Sequence, residues 1–134
     1  DRPLANMRIL LVEDNLRNRQ IFLAILDALG ATTMAVGNGY DAIETIRQEQ
    51  FDLVLMDINL PGMDGMETLG RLRTDPECAN RETPAIALTA KLAPEDIAAY
   101  SAAGFEGVAG KPINVRELAE AIAPFMDDPK RHAA

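Results

Sequence analysis

Acidic, hydroxyl and ammonium side chains stand at the ends of four short apolar runs in this sequence. Glu13 and Asp14 follow RILLV, Asp57 ends LVLMD, Thr89 ends AIALT, and Lys111 follows GVAG. Clustered carboxylates can hold a divalent cation, and a carboxylate that stays ionised is a nucleophile able to form an aspartyl phosphate. A hydroxyl and an ammonium group can bind the oxygens of such a phosphoryl group. These residue types therefore suit phosphoryl transfer, provided that the fold brings them together.

The apolar runs have the length and composition of buried strands, and helical patterns separate them. The predicted strands cover residues 8–12, 32–36, 53–57, 85–89 and 107–110. The predicted helices cover residues 15–29, 40–49, 65–73 and 94–104, and Asn114 is expected to cap a further helix. Strict alternation of strands and helices predicts an α/β fold, in which helices cover both faces of a parallel sheet. Five such units favour the flavodoxin-like, doubly wound strand order 2-1-3-4-5.

The length of 134 residues suits one domain with one core. We assign residues 8–126 to that domain, residues 1–7 to an N-terminal tail or linker, and residues 127–134 to a C-terminal tail. The sequence begins with Asp1, so we expect either that Met7 is the natural start or that the sequence is a piece of a longer protein.

Charge and composition restrict the partners. The formal net charge of -8 argues against direct binding of nucleic acid, which needs a basic surface. We expect no membrane span and no signal peptide, because no apolar run approaches the roughly 18 residues that a span requires. The single cysteine, Cys78, excludes an internal disulfide and suits a reducing compartment such as the cytoplasm. We interpret Cys78 as chemically inert.

The predicted strand order brings the polar side chains to one edge of the sheet. The first and third strands are neighbours in that order, and ligands bind where the order reverses, outside the carboxyl ends of the strands. Asp57 should then face Glu13 and Asp14 on one side, and Thr89 and Lys111 on the other. Two carboxylates about 5 Å apart repel by about 3 kcal/mol at an effective dielectric near 20. Protonation or a cation would relieve this repulsion, and an all-oxygen ligand set favours Mg²⁺.

Each of these groups has an ordinary explanation when it is taken alone. An acidic pair after a strand is favourable near a helix N-terminus, and an aspartate before Pro-Gly is common in turns. The functional interpretation depends on the conjunction, in which four strands of the expected order deliver matching groups to one edge.

Four segments of the sequence also carry a family resemblance. LLVEDN, VLMDINLPGMDG, IALTA and GKPI together closely resemble the receiver domain of two-component response regulators, over residues 8–126. The resemblance implies that Asp57 accepts a phosphoryl group from a histidine kinase or a histidine phosphotransfer protein. It also implies that Asp14, Asp57 and the backbone carbonyl of Asn59 hold Mg²⁺, with Glu13 acting mainly through water.

The resemblance further implies roles for the other side of the site. Thr89 would be the switch hydroxyl and Lys111 the phosphate-binding lysine, and the peptide between Lys111 and Pro112 is typically cis in the family. The sequence departs from the family at Val108, where many members carry a Tyr or Phe that swings inward when the threonine moves. We therefore expect the response to phosphorylation to centre on residues 89–97, with the fifth strand nearly unmoved.

Two other functions deserve comparison. Haloacid-dehalogenase-like phosphatases also combine an aspartate nucleophile, Thr, Lys and Mg²⁺, but their nucleophile lies on the first strand and a second Asp follows two residues later. Here the acidic pair comes first and position 59 is Asn. A degenerate receiver acting as a constitutive binding module is disfavoured by the intact set of five residues. We expect a phosphoacceptor signalling domain rather than an enzyme, either a stand-alone regulator or part of a hybrid histidine kinase. Its output would be a contact with a downstream protein or another domain.

Overall fold

Parallel strands form the single sheet that the structure, a computed structural model, describes within residues 2–126. The strands are β1 (Arg8–Val12), β2 (Thr32–Val36), β3 (Leu53–Asp57), β4 (Ala85–Thr89) and β5 (Gly107–Gly110). Their order is β2-β1-β3-β4-β5, and each neighbouring pair is parallel. The predicted flavodoxin-like order is confirmed, and the strands have the predicted bounds.

Helices alternate with these strands. They are α1 (Leu16–Ala28), α2 (Gly39–Gln48), α3 (Gly65–Thr74), α4 (Pro94–Ala103) and α5 (Val115–Ile122), followed by a 3₁₀ turn over Ala123–Phe125. Asn or Asp side chains cap α1, α2, α3 and α5 by accepting a backbone N–H three residues on. Helix α4 begins with Pro94, and Gly104, whose φ is 110°, caps its C-terminal end. Among the described residues, no helix is both long and apolar enough to cross a membrane.

Two apolar clusters cover the two faces of the sheet. Successive strand residues point to opposite faces, so the continuous apolar runs of β1, β3 and β4 supply both clusters. One cluster packs strand residues against α1 and α5, and the other packs them against α2, α3 and α4. With both faces covered by helices, the carboxyl ends of the strands remain as the edge at which a ligand can approach.

The segment before β1 differs from the expected tail. Leu4 and Met7 are both buried and belong to the cluster under α1 and α5. The backbone N–H of Leu4 donates to the carbonyl of Leu29 at 2.8 Å, which ties the segment to the end of α1. Burial of two large apolar side chains therefore holds residues 4–7 against the domain. The predicted C-terminal tail, residues 127–134, lies outside the described residues.

Candidate functional site

The carboxylates meet where β1 and β3 end side by side. Val12 pairs with Met56, so Glu13 and Asp14 follow at the level of Asp57. One carboxylate oxygen from each of these three acidic residues lies within 4.8 Å of the other two. Glu13 is 0% exposed and Asp57 is 4% exposed, whereas Asp14 is exposed. The structure thus brings together the three carboxylates that the strand order predicts to be close.

Lys111 lies between two of these carboxylates. Its ammonium donates to Glu13 Oε1 at 2.9 Å and to Asp57 Oδ2 at 3.0 Å. Burial lowers the pKa of Lys111, but the hydrogen bonds to Glu13 and Asp57 and the negative charges of these two residues together raise it more, so the pKa lies above its ordinary value. From the sequence we expect Lys111 on the far side of Asp57, whereas in the structure it also reaches Glu13. Its charge offsets part of the repulsion among the carboxylates.

The buried side chain of Glu13 is held from several directions. Burial raises the pKa of Glu13 above its ordinary value; the hydrogen bond from Lys111 opposes this shift, and Asp57 adds to it. The backbone N–H of Asn15 donates to Glu13 Oε2 at 3.2 Å, and the Arg19 guanidinium donates to the Glu13 backbone carbonyl at 3.1 Å. Because both of its carboxylate oxygens accept bonds from the chain, Glu13 is fixed in one position.

The turn after β3 folds tightly against Asp57. The backbone N–H of Asn59 donates to Asp57 Oδ1 at 3.0 Å, and the N–H of Gly65 donates to the carbonyl of Ile58 at 2.9 Å. A Cβ at Gly65 would clash with the Asp57 backbone carbonyl, so only glycine allows α3 to begin this close to the strand. The turn therefore fixes the Asp57 carboxylate at the edge of the sheet.

Thr89 makes contacts that the sequence does not predict. The N–H of Lys91 donates to Thr89 Oγ1 at 3.0 Å, and the Tyr100 hydroxyl oxygen lies 3.1 Å from the same atom. Tyr100 comes from α4, and its hydroxyl also donates to the backbone carbonyl of Lys91 at 3.0 Å. Tyr100 is the single aromatic residue of that helix, and this was the signal in the sequence that could have identified it.

The peptide bond after Lys111 has the isomer that the family resemblance implies. The peptide between Lys111 and Pro112 is cis. Val108 is partly buried and packs against the same core cluster that contains Tyr100. Cys78 is buried in the connection between α3 and β4, away from the carboxylates.

The donor atoms at this edge fit a hard divalent cation. The converging side chains of Glu13, Asp14 and Asp57 all offer carboxylate oxygens, which Mg²⁺ prefers over nitrogen or sulfur. Asn59 is exposed in the turn directly after Asp57, close in sequence to the acidic group. The residues present therefore match the chemistry of a magnesium site.

Comparison with known proteins gives one consistent result. A family model described as the response regulator receiver domain matches residues 9–123. The sensor histidine kinase AruS of Pseudomonas aeruginosa is 39% identical over 116 residues, which are 87% of this chain and 12% of that kinase. The polar-differentiation response regulator DivK of Brucella anthropi is 35% identical over 120 residues, which are 90% of this chain and 96% of DivK. The chain spans only 12–16% of the length of the first sensor proteins that it matches.

Solved structures with the same fold include both kinds of relative. The chemotaxis protein CheY4 of Vibrio cholerae is 26% identical, with a TM-score of 0.83 over 90% of this chain and 99% of that chain. The receiver domain of the sensor histidine kinase PA1611 of Pseudomonas aeruginosa PAO1 is 32% identical, with a TM-score of 0.81 over 91% of this chain and 98% of that chain. The crystal structure of the PA1611 domain has a magnesium ion coordinated in its active site cleft.

Proposed function

Since the chain belongs to the family of response regulator receiver domains of two-component signalling, we propose that Asp57 accepts a phosphoryl group from a phosphohistidine. The donor is a histidine kinase or a histidine phosphotransfer protein. The observation that carries this proposal is the position of Asp57, whose carboxylate lies at the carboxyl edge of the sheet beside two other acidic residues and Lys111. An ionised carboxylate in such surroundings is a competent nucleophile.

The proposed transfer is a displacement at phosphorus. A carboxylate oxygen of Asp57 forms the new bond to phosphorus while the bond between phosphorus and the histidine nitrogen breaks, and the imidazole leaves with the electron pair. The Lys111 ammonium donates a hydrogen bond to Asp57 Oδ2 and is therefore close enough to bind an oxygen of a phosphoryl group on that carboxylate. The Thr89 hydroxyl binds another phosphoryl oxygen after the transfer.

Asp14, Asp57 and the backbone carbonyl of Asn59 are the proposed ligands of Mg²⁺, and Glu13 acts mainly through water. When bound, the ion neutralises negative charge on the carboxylates and the phosphoryl oxygens. The convergence of acidic oxygens within 4.8 Å supports the ligand set. The bonds from Lys111 and Asn15 to the two oxygens of Glu13 support its indirect role.

We propose that the domain signals through protein contacts in the cytoplasm, where its free Cys78 stays reduced. It acts as a stand-alone regulator or as part of a longer sensor kinase, and the recipient is a protein partner or a further domain. A haloacid-dehalogenase-like phosphatase would need an acid-base aspartate two residues after the nucleophile, where this chain has Asn59. The proposed role is therefore that of a signalling domain, not an enzyme with its own substrate turnover.

Substitution of the acceptor tests the proposal. Asp57→Asn should abolish the Mg²⁺-dependent, hydroxylamine-sensitive label that acetyl phosphate or a cognate kinase introduces, measured by intact mass. The matched control is Asp64→Asn, in the same connection, because Asn can replace Asp64 as the cap that accepts the Glu67 N–H. The control should be labelled like the wild type. Full labelling of Asp57→Asn would contradict the assignment.

A further inference from the structure

Thr89, Lys91 and Tyr100 form a closed ring of hydrogen bonds. The Lys91 N–H donates to Thr89 Oγ1, the Tyr100 hydroxyl donates to the Lys91 carbonyl, and the two hydroxyl oxygens of Thr89 and Tyr100 lie 3.1 Å apart. A tyrosine hydroxyl has a single proton. Because that proton goes to the Lys91 carbonyl, the bond between the two hydroxyls must be donated by Thr89. The only hydroxyl proton of Thr89 is therefore directed at Tyr100.

This proton is the one that a phosphoryl group on Asp57 would need. Phosphoryl oxygens are acceptors, so Thr89 can bind one only as a donor. Thr89 is 2% exposed and Tyr100 is 3% exposed, which leaves little room for water to replace either partner. The Tyr100 hydroxyl and a phosphoryl oxygen on Asp57 thus compete for the same donor.

Helix α4 is the element that this competition affects. Tyr100 is its buried residue, and Ala93 at its N-cap makes no side-chain hydrogen bond, unlike the capping residues of α1, α2, α3 and α5. The loop before α4 is exposed at Lys91 and Leu92. The ring of hydrogen bonds around Tyr100 therefore connects this weakly capped helix to Thr89 and its loop.

We propose that Tyr100 is a positioning residue that holds Thr89 in the resting arrangement and transmits phosphorylation of Asp57 to α4. When the Thr89 hydroxyl donates to a phosphoryl oxygen instead, its hydrogen bond to Tyr100 breaks. Helix α4 and the Lys91 loop then lose one of the hydrogen bonds that join them to β4. The inference rests on the proposed function of Asp57. It assigns to Tyr100, on α4, the coupling that an aromatic residue at position 108 on β5 would otherwise supply.

Tyr100→Phe tests this coupling because it removes only the hydroxyl. In the variant without a phosphoryl mimic, the buried hydroxyl of Thr89 has lost its acceptor on residue 100. A phosphoryl mimic on Asp57 supplies a new acceptor for that hydroxyl. We expect the dissociation constant of beryllofluoride in the presence of Mg²⁺, measured by NMR titration, to be about fivefold lower in the variant than in the wild type. This ratio corresponds to one net hydrogen bond. The matched control is Tyr40→Phe at an exposed position, which should bind like the wild type.

A double-mutant cycle separates this role from a merely structural one. In a Thr89→Val background, Tyr100→Phe should leave the beryllofluoride affinity unchanged, because the proton that Tyr100 accepts is absent. The role of Tyr100 would be overturned if Tyr100→Phe raised the beryllofluoride affinity equally in both backgrounds, or if it did not raise the affinity when Thr89 is present. Either result would leave the proposed function intact. A wild-type protein that does not bind beryllofluoride would overturn the proposed function and this inference together.

A second measurement observes the aromatic side chain of Tyr100 itself. In the Tyr40→Phe variant, Tyr100 is the sole tyrosine of the chain, so its ring resonances can be assigned directly. Beryllofluoride should shift these resonances, because the Tyr100 hydroxyl oxygen no longer accepts the hydrogen bond that Thr89 donates. Unchanged Tyr100 resonances alongside large shifts at Asp57 would overturn the inference.

Discussion

The ammonium of Lys111 contacts Glu13 at 2.9 Å, although 98 positions of sequence separate the two residues. Lys111 follows the last strand and Glu13 follows the first, so this contact passes over the ends of β3 and β4, which lie between them in the sheet. The same ammonium contacts Asp57 at 3.0 Å. One lysine thus pairs with two buried carboxylates.

Removal of this lysine should cost stability in the absence of Mg²⁺. Lys111→Ala leaves the carboxylates of Glu13 and Asp57 without their cationic partner, and loss of a charged hydrogen-bond partner costs about 1–3 kcal/mol. We expect urea unfolding to show a decrease in the free energy of unfolding of that order, and Mg²⁺ to restore more stability to the variant than to the wild type. Lys91→Ala is the control, because that side chain is exposed. Equal stability of Lys111→Ala and the wild type would contradict the pairing.

Mg²⁺ should raise the melting temperature of the wild-type protein. A ligand that binds only the folded state stabilises it in proportion to the logarithm of its concentration once the site is nearly saturated. Asp14→Ala should remove most of this response and slightly stabilise the metal-free protein, because it removes one of three close negative charges. Asp27→Ala makes the same chemical change on the exposed face of α1 and should keep the full response. A thermal melt with equal Mg²⁺ stabilisation of all three proteins would exclude the proposed site.

The convergence of the carboxylates follows from features that the sequence displays openly. Four of the five strands are short apolar runs that end at a polar residue or are directly followed by one, and parallel pairing brings such ends to one edge. The reach of Lys111 to Glu13 was not predictable, because a long flexible side chain can adopt many rotamers and its partner is set by the packed geometry. Likewise, α4 is rich in alanine, so its weak apolar pattern did not identify the face that turns Tyr100 toward Thr89. The burial of Leu4 and Met7 lacked a periodic signal, because the segment before β1 is short and irregular.

Cys78 should be unreactive in the folded protein. It is 6% exposed, and burial raises the pKa of its thiol, so less of the reactive thiolate is present at neutral pH. We expect modification by Ellman's reagent to be at least about tenfold slower in native buffer than in denaturant, where a cysteine is exposed and has its ordinary pKa. Equal rates in both conditions would show that the thiol is accessible and contradict its interpretation as inert.

The conformational response should centre on residues 89–97. A modification shifts a two-state equilibrium only by its differential interaction with the two states, and Thr89 is the residue whose hydrogen bond must change. Val108 is β-branched and too short to move between a buried and an exposed position, so β5 has no comparable group to move. The β4–β5 ladder also continues to the bond from the Lys111 N–H to the Thr89 carbonyl at 2.9 Å, which holds the backbone of β5 in register.

Backbone NMR with and without beryllofluoride measures this response, and Asp57→Asn serves as the control that should show no shift. The largest changes are expected in the exposed loop from Ala90 and in the first turn of α4, because Ala93 provides no side-chain cap that would resist the movement. Lys111 should shift through its direct contact with the mimic, while residues 107–110 change little. Large backbone shifts confined to residues 105–115, with residues 89–97 unchanged, would exclude this route and indicate that the signal leaves through β5.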